Sequence, residues 1–217
     1  MPGRLDQSTV DLLGVLAYGE LTAFERLAGD ARLAPTVADK VALGRMAAAE
    51  YDHFVRINDH LVAEGVDAEE AMRPFVGPVD AFHDSTPASN WLEGLIKAYV
   101  GDGLATDFYR EVAAFLSDPA TRGLVLEVLA DTGQASFAVS RVRAAIDADP
   151  ATAGRLALWA RRLVGEALIQ AQRVAVERDA LTELLVGGSG DLAGISRLLT
   201  RLTDAHTARM EALGLQA

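Results

Sequence analysis

Cysteine is absent from all 217 residues, which removes disulfide staples, thiolate metal sites, iron–sulfur clusters and cysteine nucleophiles together. Any metal must then be held by carboxylate, imidazole or amide groups, and the chain offers 31 Asp and Glu but only 4 His. No apolar run approaches the roughly 18 residues of a membrane span, so no membrane partner is expected. The first residues, MPGRLDQSTVDLLG, lack the basic-then-apolar layout of a signal peptide, and the expected location is the cytoplasm. Basic blocks are missing too. With a net charge of −11, an extended nucleic-acid footprint is not expected, and the densest basic group, Arg155, Arg161 and Arg162, reads as a solvated helix face.

What the chain does have is 50% hydrophobic content at 24% charge, enough for one domain with its own core or one domain with an appendage. Alanine is abundant, β-branched runs are short, and apolar residues recur at three- and four-residue steps, the pattern of an all-α protein. The periodicity predicts helices over about 8–29 and 36–64, joined by a short turn into an antiparallel hairpin. Residues 66–89 carry Pro74, Gly77, Pro78 and Pro87 and read as a long non-helical crossover. A second hairpin is predicted from helices over about 89–116 and 119–147, with Pro119 at a first helical position. Helices over about 151–186 and 191–213 complete the chain, separated by the turn at 187–190. One long crossover between helices two and three is the connectivity of a ferritin-like four-helix bundle. The expected division is a bundle over 1–150 and a helical extension over 151–217 packed on it.

Acids occupy positions where leucine is expected. Glu20 interrupts the stripe Leu13, Leu16, Phe24, Leu27, and Glu50 interrupts Leu43, Met46, Phe54, Ile57, with His53 one turn on. Asp102 and Asp131 do the same in the second hairpin, with Gln134 one turn after Asp131. An unpaired buried carboxylate costs several kcal/mol, so inward acids need a shared partner, and divalent metal ions are the economical one. Glu20 and Glu50 are 30 residues apart, Asp102 and Asp131 are 29 apart, and each pair straddles its hairpin turn at matching heights. Residues three apart on a helix share a face, so Glu50-x-x-His53 presents two ligands together, and Asp131-x-x-Gln134 is its weaker echo.

These segments, AYGELTAFERLAG, MAAAEYDHFVRI, AYVGDGLATDFYREVA and LADTGQASFAV among them, resemble the ferritin-like di-iron carboxylate superfamily. Within it the nearest likeness is to proteins similar to the tRNA 2-methylthio-isopentenyladenosine hydroxylase. The resemblance covers roughly residues 8–147 and implies two irons that activate O2 for C–H hydroxylation. By position it implies Glu20, Glu50 and His53 on one iron, and Asp102, Asp131 and Gln134 on the second, with Glu50 and Asp131 bridging. The chain departs from the family pattern in its second half, where two Glu are Asp and the second His is Gln134, which predicts a weakened second site. Glu166, with Gln170, is a candidate replacement ligand from the fifth helix.

The function expected is therefore an O2-dependent di-iron oxidoreductase, a hydroxylase acting on a small molecule or a modified nucleoside. No flavin or nicotinamide site is visible, so an external electron donor or reductase is implied. The alternatives are a non-catalytic metal-binding protein, with iron, manganese or zinc, and a metal-free helical interaction module; dimerisation through the last helices stays open. His83 also comes three residues after an acid but falls in the proline-interrupted crossover, where it reads as loop rather than ligand.

Overall fold

The two helices of the first hairpin each start on a side chain that satisfies a free amide of the first turn. The computed structural model describes residues 5–130 and 134–216, without the side chains of Gln134 and Leu192. The Asp6 carboxylate accepts the Thr9 amide at 2.8 Å and opens α1 (Gln7–Asp30). The Thr36 hydroxyl accepts the Asp39 amide at 3.1 Å and opens α2 (Val37–Ala63). Gly65, at φ +76°, ends α2 in the left-handed region, and Val66 N–H reaches back to the Leu61 carbonyl at 2.9 Å. The predicted first hairpin is present.

The crossover is helical, contrary to the expectation from its prolines. Asp67 caps α3 (Ala68–Ser85) through the amides of Glu69 and Glu70, and Ala68, Ala71, Phe75 and Pro78 form a buried face at helical spacing. Pro74 deprives the Glu70 carbonyl of its helical donor, at a residue that is exposed to solvent. Where α1 crosses α3 the backbones nearly touch: a Cβ on Gly14 would lie 2.2 Å from the Ala71 carbonyl oxygen.

The third leg is one continuous helical run with a wide turn in its middle. The short helix α4 (Trp91–Ile96) leads into a π-helical turn (Lys97–Asp102), which leads into α5 (Gly103–Ala113). A π turn inserts a residue into the helical register and re-aims the side chains beyond it, and such turns concentrate at functional sites. The fourth leg is not the single helix expected over 119–147. It is α6 (Pro119–Val128) and then α7 (Gln134–Ala148), and the Arg110 guanidinium from α5 donates to the Leu129 carbonyl at the end of α6.

The expected fifth helix also divides. It forms α8 (Ala151–Glu177) and α9 (Asp179–Ser189), with Arg178 between them at φ −128°, ψ 80°. The break is fixed from a distance, because the Arg178 guanidinium clasps the buried Asp11 carboxylate of α1, with Nε 2.9 Å from Oδ2. The glycine-rich stretch is mostly helix; Gly190 alone turns, at φ +77°, before Asp191 caps α10 (Leu192–Leu213). Among the described residues there is no strand, and no helix is long and apolar enough to cross a membrane.

The apolar core falls into two clusters, one at each end of the bundle. One gathers Leu12, Leu16, Ile57, Leu61, Val112 and Val125; the other gathers Leu27, Leu43, Leu95, Val142, Ala160 and Met210. The second cluster takes residues from α8 and α10 as well as from the bundle legs. Along α1, α2 and the third leg, the positions between the clusters belong to Glu20, Glu50, His53 and Asp102.

Candidate metal centre

Glu20 reaches the middle layer from α1, and Glu50 and His53 reach it from α2, one turn apart on the same face. One ligand atom from each lies within 4.8 Å of the others. His53 Nδ1 sits 3.3 Å from Glu20 Oε2 and 3.6 Å from Glu50 Oε2. Glu20 and Glu50 keep only 9% and 8% of their surface. Such burial drives the Glu20 carboxyl well above the usual carboxylate range, with Glu50 pushing the same way and His53 opposing. The two carboxylates, Glu20 first, lift His53 to about 9. Two acids and an imidazole converging on one point, away from bulk water, form a donor set that suits one divalent ion such as iron, manganese or zinc.

The group lies on the wall of a cavity of about 610 Å³, within the range of small-molecule sites. Its walls are largely apolar, and small residues such as Ala98, Gly101, Ala105, Ala138, Ala167 and Ala171 leave the space that larger side chains would fill. Helices α8 and α9 close one side through Val174, Leu181 and Leu185. Tyr109 also lines the cavity, and burial, reinforced by Glu20, raises its phenol above the ordinary value, so it stays protonated.

The other expected ligands are placed differently. Asp102 is not in the three-residue group; its Oδ2 accepts from Arg26 Nη2 at 2.6 Å. The Asp102 carboxylate keeps 32% exposure, toward the cavity, and removal from bulk water lifts it to about 6, with Arg26 holding it down and Glu50 pushing it up. Asp131 lies outside the described residues, and so does the Gln134 side chain. Glu166 is half-buried on α8 and does not line the cavity, whereas Gln170, one turn on, does. Asp107 pairs with Arg209, and Glu25 is solvent-facing. Tyr18 donates to Asp80 Oδ1 at 2.7 Å, and Tyr51 packs between Phe24 and Phe54.

His83 is not in a loop. It stands on the last turn of α3, lines the cavity, and has a buried Nδ1 without a hydrogen-bond partner in the structure. Burial, with Arg26 and Lys97 adding repulsion, depresses it to about 3, so it is neutral. Sequence reasoning missed two features: Arg26 as the partner of Asp102, and the π turn that delivers Asp102. The available signals were faint. Arg26 neighbours an inward leucine on α1, and glycines flank Asp102 on both sides.

A helical bundle with a long crossover and a carboxylate–carboxylate–imidazole group at mid-height defines a ferritin-like carboxylate protein. A family model described as "Ferritin-like domain, actinomycetes" matches residues 3–188, and the chain belongs to that family. No curated protein matches it.

Proposed function

We propose that the protein is a metal-dependent oxidoreductase that uses O2 and an external electron donor to hydroxylate a small, largely apolar substrate. The observation that carries this reading is the position of the Glu20–Glu50–His53 group on the wall of a cavity of about 610 Å³ rather than inside a sealed core. A protein that only stores or carries metal needs a path for ions; an apolar chamber beside the ligands suits an organic molecule. Glu20, Glu50 and His53 would hold the ion, and a redox-active metal such as iron supplies the electron chemistry with O2. The chain's own contribution is placement. The apolar walls exclude water and orient the substrate, and the protonated Tyr109 phenol offers a hydrogen-bond donor on the same wall.

The finer likeness to the tRNA 2-methylthio-isopentenyladenosine hydroxylase points to a modified nucleoside. The net charge of −11 disfavours approach of an RNA backbone, so a free small molecule is the better substrate class. A second reading, metal binding without catalysis, is favoured by one observation: Asp102 is already engaged by Arg26.

The test is anaerobic loading with ferrous iron, then admission of O2 with an optical spectrum and an oxygen electrode. Oxygen uptake that depends on bound iron supports the oxidoreductase, and bound iron that consumes no O2 supports the second reading. Glu50→Ala and His53→Ala should each abolish metal binding; if both variants keep a full complement, the site is elsewhere.

A further inference from the structure

The third leg brings its acid in the middle layer against a buried guanidinium. Glu20 and Glu50 bring two carboxylates to one imidazole. Asp102 has a permanent cation beside it. Arg26 Nη2 lies 2.6 Å from Asp102 Oδ2, and the arginine side chain is only 11% exposed. Arg26 stands six residues after Glu20, about 9 Å along α1, so α1 feeds an acid to one part of the layer and a guanidinium to the next. A second cation stands behind the first. Lys97, buried in the π turn, donates from Nζ to the Thr86 carbonyl at 2.7 Å and also acts electrostatically on Asp102. Glu50 acts on Asp102 from the other side, so the two parts of the layer sense each other.

A guanidinium does not lose its proton in a protein, so the charge that Arg26 brings is permanent. We propose that Arg26 occupies, as a built-in cation, the place beside Asp102 that a second metal ion would need, making the centre mononuclear with its single divalent ion on Glu20, Glu50 and His53. Among the described residues, Asp102 already has the full positive charge of Arg26 beside it, with Lys97 acting in the same direction. A second divalent ion would have to displace a buried arginine from its hydrogen bond or sit against its positive charge. The other cavity arginine with a close acid, Arg209, is held by Asp107 and the Gly103 carbonyl, at 3.1 Å from the latter, and lies outside this exchange. Tight seating of Arg209 is fixed by Gly103 itself, where a Cβ would lie 2.4 Å from Arg209 Nε.

The inference rests on the metal-binding reading above, and stoichiometry separates the two. Full-length protein is freed of metal with chelator, loaded anaerobically with Mn(II), desalted and assayed for manganese and by electron paramagnetic resonance. Wild type is expected to hold one equivalent with the six-line signal of an isolated ion. Two equivalents with an exchange-coupled signal would overturn the mononuclear assignment and leave the metal reading intact; none would overturn both. Arg26→Gln is expected to raise the count from one toward two, while Arg26→Lys, which keeps the charge, stays at one. An Arg26→Gln protein that is folded by circular dichroism and still binds one ion overturns the role of Arg26. Asp102→Asn gives a separate check that does not depend on that variant folding. It should keep the single ion, and loss of the ion would show that Asp102 is a ligand and sink the proposal.

Discussion

At the scale of single residues, the middle layer is a set of titratable groups whose partners decide their charge. His83 is the sharpest example, since its surroundings hold it to about 3 against an ordinary 6.5. The unfolded chain therefore takes up a proton as pH falls below about 6.5, while the native chain refuses it until about 3. His83 should subtract from stability progressively across that window and contribute no pH dependence above it. Urea midpoints measured from pH 7 to pH 4 should fall less steeply in His83→Gln than in wild type; parallel curves would mean that the imidazole is not in the dry, cationic setting described. Glu20, Glu50 and His53 were legible in the sequence because an acid within an apolar stripe is an energetic anomaly at a visible period. The Arg26–Asp102 pair was not, because 76 residues separate its members and only the packing of α1 against the third leg joins them.

At the scale of elements, the long regular helices were readable from their caps and periods, and the interruptions were not. Proline count misled for α3, where the Asp67 cap and the buried face of Ala68, Ala71, Phe75 and Pro78 outweigh the amides that Pro74 and Pro78 lack. The division between α8 and α9 is tied to a tertiary contact, Arg178 on Asp11, that no local pattern announces. Close approach of α1 and α3 rests on a missing side chain. Gly14→Ala places a methyl group 2.2 Å from a backbone oxygen that cannot move alone, and should cost about 1–3 kcal/mol in chemical denaturation. Gly44→Ala in α2 meets nothing within 4 Å and should instead gain about 0.5–1 kcal/mol from helix propensity. If the two substitutions behave alike, the α1–α3 contact is looser than the structure has it.

At the scale of the whole molecule, the crossover is what gives the bundle its ligand geometry. It lets the two hairpins present α1, α2 and the third leg to one layer, and it supplies His83 to the same cavity. The spacing of Glu20 and Glu50 from their turn predicted their meeting, and it holds because the α1–α2 turn is short and both helices are uninterrupted. The corresponding comparison for Asp102 and Asp131 lies outside the described residues. Cavity size was not legible, since it depends on how far helices stand apart and only indirectly on the small side chains that line them.

The two apolar clusters bear on how the chain comes apart. Both tryptophans, Trp91 and Trp159, pack against the cluster that contains Leu27 and Met210, and the other end has neither. The layer between the ends is hollow and holds the buried acids, which thins the apolar contact joining the two clusters to links such as Phe24–Tyr51–Phe54, and cooperative units of this kind can open separately. Tryptophan fluorescence and far-ultraviolet circular dichroism should then trace urea transitions with different midpoints in metal-free protein, and adding Mn(II) should draw them together by stabilising the layer common to both ends. Coincident curves without metal would show that the helices carry cooperativity across the hollow middle unaided. In that light an ion held by Glu20, Glu50 and His53 would act as a rivet between two half-cores.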